Sequence, residues 1–228
     1  MTPKPFSWSW SKLKNYRTCP KRHWHVDIQK EFKDESEQLT WGNSIHDAMA
    51  ARIGKGKPLP RTMEHYESWP AKLVKARDQF GLKTMVENKL AMNRDFRPRS
   101  FFDKDAWFRG VLDVIQLNDD IALVIDWKTG QMKPEMEQLG LFAQLVFAHY
   151  PEINEVSTVY VWLGSDDFTL EQHKRETLLP LWNSLNATLN KMEEAQRTTT
   201  YPANPSGLCK KYCPVKTCPY YGKGGSIH

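Results

Sequence analysis

Two aspartates stand where a soluble chain tolerates them least, and that placement constrains the fold more than any other feature. Gly110-Val111-Leu112-Asp113-Val114-Ile115 and Val124-Ile125-Asp126-Trp127-Lys128-Thr129-Gly130 are runs of buried-strand character, each broken by one carboxylate. An unpaired carboxylate in such a setting is very costly, so each acid needs a cation or a partner. Between the runs lies Asn118-Asp119-Asp120, the turn chemistry that joins two strands in a hairpin. Asp126 and Lys128 are two residues apart and therefore share one side of a strand. Antiparallel pairing across the turn brings Asp113 beside them. Two carboxylates and an ammonium in one pocket suit metal-assisted phosphodiester hydrolysis. Hard oxygen ligands hold Mg²⁺ or Mn²⁺, and such a cation acidifies bound water and neutralises charge growing on the phosphate. The lysine then orients that water or stabilises the developing anion. The plainer alternative is a buried Asp–Lys salt bridge with Asp113 solvated near the turn. Asp-x-Lys alone is a weak pattern; the second acid one strand earlier favours a site.

The surrounding periodicities define the scaffold. Helical spacing covers Trp8–Cys19, capped by Ser9 or Ser11 and stopped by Pro20, then Gly42–Ile53 and Trp69–Phe80. Pro134 opens a helix that runs to His149, and Leu179–Gln196 is a last one. Strands are expected over Leu82–Met92, Trp107–Leu117, Ile121–Trp127, Val156–Leu163 and, as its antiparallel partner, Asp167–Glu176. Strands bracketed by helices, with one hairpin and one crossover, predict an α/β domain with a mixed sheet.

Composition narrows the setting. The 228 residues, 40% hydrophobic and 26% charged, fit one large globular domain with a real core. No apolar run reaches the ~20 residues of a membrane span, and Met1–Trp10 lacks the apolar segment of a secretory signal. A cytoplasmic protein without a membrane partner is expected. The net charge of +5 is modest, but Lys12, Lys14, Arg17, Lys21 and Arg22 crowd one stretch, and Lys210, Lys211, Lys216 and Lys223 occupy a tail without acids. Clusters of this kind serve phosphate contacts or merely a solvated surface. Nine tryptophans offer stacking surfaces for bases, although most aromatics in such a domain are core. Cys19 stands near the start, and Cys209, Cys213 and Cys218 lie together near the end, interleaved with Pro214 and Pro219. Disulfides are rare in the cytosol, and four thiolates suffice for one iron–sulfur or zinc centre; free buried thiols are the third reading.

Taken in order, the motifs resemble a known family over nearly the whole chain. Ser9-x-Ser11-x-Leu13-x-x-Tyr16-x-x-Cys19-Pro20-x-Arg22, Gly42-x-x-x-His46, Val86-Glu87 with Leu90, Gly110-x-x-Asp113, Ile125-Asp126-Trp127-Lys128-Thr129-Gly130 and Gln138-Leu139-x-x-Phe142-Ala143 resemble the RecB-like branch of the PD-(D/E)XK nucleases. That branch includes CRISPR-adaptation exonucleases and many phage exonucleases. The resemblance implies that His46, Asp113 and Asp126 bind the catalytic metal with the main-chain carbonyl of Trp127, and that Lys128 is the catalytic base or charge stabiliser. It makes Glu87 an acid behind those ligands or for a second metal, and Gln138 a group that positions water, lysine or DNA. It also makes Cys19, Cys209, Cys213 and Cys218 the ligands of one [4Fe–4S] cluster, with structural Zn²⁺ as the alternative. Two departures stand out: Phe142 replaces a frequent tyrosine, and the last cysteines are spaced x3 and x4 rather than x2 and x5. Taken singly, His46 reads as a packed or solvated histidine, Glu87 as an exposed strand acid and Gln138 as a surface amide.

The expectation is thus one restriction-endonuclease-like α/β domain over residues 1–228, a mixed β-sheet flanked by helices. It comprises an N-terminal helical segment (1–30), a nuclease core (42–196) and a closing cysteine segment (201–228), the two ends joined by the four-cysteine metal centre. Its expected activity is metal-dependent hydrolysis of DNA, as an exonuclease on single-stranded ends, alongside recombination or processing partner proteins. A structure-selective endonuclease and a non-hydrolytic DNA-binding subunit are the alternatives.

Overall fold

The computed structural model describes residues 5–33 and 36–224; of the Met1–Trp10 stretch, residues 1–4 lie outside that set. The chain divides into two compact units, one formed by Met1–Ser36 with Asn183–His228, the other by Glu37–Trp182.

In the first unit, α1 (Trp10–Thr18) starts at Ser9, whose hydroxyl accepts from the Lys12 N–H at 3.4 Å. This satisfies one of the donors that a helix start leaves orphaned. Pro20 ends that helix as expected but also opens the next, α2 (Pro20–His23), from its first position, where its missing N–H costs nothing. A π-helical turn over Trp24–Ile28 follows. Asn15 and His23 both bond the Asp27 carboxylate, at 3.0 and 2.8 Å, and Tyr201 stacks on Trp24 with ring centroids 4.7 Å apart.

The second unit opens with α3 (Glu37–Lys55), α4 (Ser68–Phe80), β1 (Lys83–Met92), β2 (Pro98–Arg99), β3 (Phe108–Leu117) and β4 (Ile121–Lys128). Then come α5 (Met136–His149), β5 (Glu155–Trp162) and β6 (Asp167–Lys174). α6 (Leu179–Thr198) begins in this unit, and from Asn183 onward it belongs to the first unit, which continues to α7 (Leu208–Lys211). The six strands form one sheet in the order β2-β1-β3-β4-β5-β6, parallel only between β4 and β5. The mixed sheet is therefore the one expected, with α5 as its crossover helix. Its central hairpin is tied off by Asn118, whose side-chain oxygen accepts from the N–H groups of Asp120 and Ile121 at 3.1 and 2.7 Å, an Asx turn.

Ile45, Met49 and Ile53 recur every fourth residue on α3, so they line one face. They pack on Val114, Ile125, Trp127, Val159 and Val161 of the sheet. Each such side chain contributes about 1.5–3 kcal/mol by leaving water, which fixes α3 firmly against β3 and β4. α5 is buried nearly all round, from Gln138 to Phe147 apart from Gln144. Among the described residues no helix is long and apolar enough to cross a membrane.

Candidate active site

The ladder between β3 and β4 stops at Val114–Ile125. The next residues outward are Asp113 and Asp126, so both acids sit where the strands part. They are 7% and 4% exposed, buried as the sequence requires. With the ladder ended, the main-chain N–H of Trp127 donates to Asp113 Oδ2 at 2.8 Å. The other carboxylate oxygen lies 3.0 Å from His46 Nδ1 on α3. Burial opposes a charge on His46, but the hydrogen bond to Asp113 and the fields of Asp113, Asp126 and Glu87 outweigh it and raise the imidazole above its ordinary value.

Glu87 completes this corner. It lies in β1 between Val86, paired with Val114, and Asn88, paired with Leu112, which places it opposite Asp113. Its own pairing is missing there, and its backbone is left-handed at φ 47°. Such a conformation is strained for any residue with a Cβ. The result is that His46, Glu87 and Asp113 each bring one ligand atom to within 4.8 Å of the others, a group able to hold a metal ion. Burial and the nearby Asp113 hold the Glu87 carboxyl above its usual range.

Asp126 belongs to a second cluster beside this one. Lys128 Nζ lies 2.6 Å from Asp126 Oδ2, which is the same-side placement the two-residue spacing demands. Gln138, at the start of α5, donates to Asp126 Oδ1 at 3.3 Å and accepts from Lys128 Nζ at 3.2 Å. Tyr160 of β5, facing Asp126 across the parallel ladder, donates toward Gln138 Oε1 and the Glu135 carbonyl, both at 2.9 Å. Its ring carries the Lys128 ammonium at 4.7 Å. Burial is the largest influence on Asp126 and pushes its carboxyl up to about 6 despite the adjacent lysine.

All the residues expected at the site thus converge on one end of the β3–β4 hairpin, but with a different division of labour. Glu87, read as an auxiliary acid, stands with His46 and Asp113, while Asp126 faces Lys128 and Gln138. Trp127 contributes its N–H to Asp113. Tyr160 is the participant the sequence reading missed; the signal for it is its register with Asp126 on the neighbouring strand. It brings a hydroxyl to the Lys128–Gln138 network, and Phe142 brings none.

The cysteines follow the expectation only in part. All four border one cavity of the first unit, together with Arg22, Asn204 and Val215. Their sulfur atoms nevertheless do not gather: among the described residues no three of them lie within 4.8 Å of one another. A group of thiolates close enough to share a single ion is therefore not found among the described residues. Two sulfurs are instead tied to the backbone, Cys19 accepting from Asn204 N at 3.3 Å and Cys209 from Ser206 N at 3.4 Å. Burial raises the Cys213 thiol above its ordinary value.

Comparison with known proteins gives this geometry its context. No curated protein matches the chain. A putative exonuclease from Eubacterium rectale is similar in structure, with a TM-score of 0.57 at 9% identity over 87% of this chain and 84% of that one. At such identity the likeness is one of fold. SSO0001 is similar more loosely, with a TM-score of 0.48 at 16% identity over 96% of this chain and 89% of that one. So is an alkaline exonuclease from Laribacter hongkongensis, with a TM-score of 0.37 at 10% identity over 85% and 91%. The model of the PD-(D/E)XK nuclease superfamily matches residues 7–219, a span that takes in His46, Glu87, both aspartates and Lys128, and the chain belongs to that superfamily.

Proposed function

We propose that this protein is a divalent-metal-dependent DNA nuclease that hydrolyses phosphodiester bonds as an exonuclease on single-stranded ends. The observation that carries the reading is the pairing of two clusters at one strand end: a ligand group of His46, Glu87 and Asp113 beside an ammonium held by Asp126 and Gln138. The donor set, one imidazole and hard carboxylate oxygens, fits Mg²⁺ or Mn²⁺. A cation bound there would supply Lewis acidity toward a phosphate oxygen and an acidified water. Asp126 and the Trp127 carbonyl complete the proposed ligand set when Asp126 turns from Lys128. Asp113 is held for its task by the Trp127 N–H, and His46 by Asp113. As an ammonium, Lys128 stabilises negative charge on the phosphate; to serve as the base it would first pass a proton to Asp126, 2.6 Å away, and then take one from water as the neutral amine. Gln138 and Tyr160 fix where its nitrogen points. The exonuclease reading draws on the family resemblance and on the fold shared with the Eubacterium rectale protein, whose own designation is putative exonuclease.

We also propose that the cysteine cavity of the first unit takes a metal centre with a structural role. A single zinc ion with thiolates at about 2.3 Å needs sulfurs closer together than these. A [4Fe–4S] cube spreads its four thiolates over four irons, and four cysteines around one cavity fit that larger group better. Iron content and visible absorbance of anaerobically purified protein test this point.

The catalytic test uses end-labelled linear and circular single-stranded DNA with Mn²⁺ or EDTA. Linear substrate is expected to be degraded while circular substrate survives. Cleavage of the circle would make the protein an endonuclease. Asp126→Ala and Lys128→Ala are each expected to abolish cleavage and leave DNA binding largely intact; undiminished rates at saturating Mn²⁺ would refute the assigned centre.

A further inference from the structure

Next to the metal-ligand group, β1 and β3 carry a basic and aromatic ledge that neither cluster of the site uses. Lys89 and Val111 face each other across the β1–β3 ladder, two residues beyond Glu87 and Asp113 and hence roughly 7 Å along the strands. Lys89 is exposed, and its charge reaches Glu87. Its ammonium lies 6.0 Å from the centre of the Phe101 ring. Phe101 meets Phe102 edge to face at 5.2 Å, and Phe102 is 82% exposed.

A lone exposed phenylalanine is ordinary on a protein surface. This one is different because the loop presenting it is braced. Arg109 donates to the carbonyls of Phe101 and Asp103 at 2.6 and 2.9 Å, and the Asp103 N–H closes a turn on Ser100 at 3.0 Å. Ordering such a loop costs free energy that exposure of an aromatic tip does not return, whereas a ligand on the tip benefits from finding it already rigid. An aromatic face and a lysine, in line with a group that binds metal, match the repeating chemistry of an unpaired strand: stackable base, then phosphate.

We propose that Lys89, Phe101 and Phe102 bind the nucleotide adjoining the scissile phosphate of single-stranded DNA, Lys89 taking the neighbouring phosphate and Phe102 stacking on the base. The proposal rests on the nuclease reading for its substrate. It selects single strands because a base paired within a duplex has both faces covered by its neighbours. It also predicts tolerance of sequence, since every base has a π face.

The test is fluorescence anisotropy of the full chain with a labelled oligothymidylate and with a labelled duplex, in EDTA so that nothing is cut. Phe102→Ala is expected to weaken single-strand binding roughly tenfold and leave duplex binding and the salt dependence alone. Phe102→Trp is expected to restore it. Lys89→Ala is expected to reduce the slope of log affinity against log salt by about 0.7, the contribution of one phosphate contact on a single strand. Phe102→Ala binding the oligomer as wild type does, or losing strand and duplex equally, would overturn the proposal, as would an unchanged salt slope in Lys89→Ala. Because binding in EDTA requires no hydrolysis, a protein that binds in this way yet cuts nothing with Mn²⁺ would fail the nuclease reading alone.

Discussion

Replacing Glu87 with glycine is expected to make the metal-free protein more stable and to make it less responsive to metal. The left-handed backbone at φ 47° costs a residue with a Cβ about 1–2 kcal/mol, and glycine does not meet that cost. Glycine within a strand loses about 0.5–1 kcal/mol through the entropy of the unfolded chain. The difference favours the variant by about 0.5–1 kcal/mol. Removal of a carboxyl held above its usual range by burial and by Asp113 acts in the same direction. Glu87→Gln separates the two contributions, because it keeps the Cβ and the strained backbone and removes only the charge. Urea unfolding in EDTA should therefore rank the proteins Glu87→Gly, then Glu87→Gln, then wild type. Saturating Mn²⁺ should reverse the ranking, since a ligand bound only by the folded state stabilises it in proportion to its affinity. If Glu87→Gly unfolds more easily than Glu87→Gln in EDTA, the backbone at this position stores no strain. If both variants bind Mn²⁺ as tightly as wild type by calorimetry, Glu87 is not a ligand.

Two other perturbations reach different parts of the fold. Tyr160→Phe removes the hydroxyl shared between Gln138 and the Glu135 carbonyl; a loss of about 1 kcal/mol in thermal or urea melts is expected, with turnover falling while the DNA concentration for half-maximal rate stays put. Equal turnover would show that Gln138 holds Lys128 without help. His173, buried in β6 and hydrogen-bonded to Thr158 at 2.8 Å, has its pKa lowered by burial from 6.5 to about 4. The folded state thus favours the neutral ring, so its contribution is complete above pH 6.5 and is lost as pH falls toward 4. Allowing for screening by nearby solvent, the loss is roughly 2 kcal/mol, and His173→Gln should flatten that part of the stability–pH curve. An unchanged curve would assign the acid sensitivity to other groups.

The parts of this fold that announce themselves in the sequence are those governed by local chemistry. The Asn118–Asp120 turn, the apolar runs on either side of it and the spacing of Asp126 and Lys128 suffice to bring both acids to one end of the hairpin and to put Lys128 beside Asp126, because side-chain alternation along a strand is fixed geometry. Helix ends were less legible. α3 begins at Glu37 rather than Gly42, since packing of Ile45, Met49 and Ile53 on the sheet outweighs the small helix-weakening effect of a glycine. Pro20 signals both a stop and a start, and only the stop is apparent before the structure is known. The left-handed turn of Glu87 had no signal at all: a glutamate in a strand-like run gives no reason to expect φ above zero. That one dihedral moves Glu87 from a background acid to a member of the ligand group. Gln138 is placed by the family resemblance, whereas Tyr160 is brought to the lysine by the parallel pairing of β5 with β4, a register that no local pattern encodes. The cysteine spacing leads to the expectation of one four-thiolate centre, but spacing along the chain does not fix the distances between sulfurs, and no three of them gather within 4.8 Å among the described residues.

The order of the strands also bears on how the site comes into being. Glu87, Asp113 and Asp126 lie on three consecutive antiparallel neighbours, β1, β3 and β4, so their meeting needs only short-range hairpin closures, which form quickly. Tyr160 arrives only when β5 docks in parallel through α5, after the entropy of a long crossover has been met. Folding is therefore expected to concentrate negative charge before it delivers the groups around the lysine. If the group of His46, Glu87 and Asp113 holds a divalent cation, that cation present during refolding should speed the hairpin stage in particular.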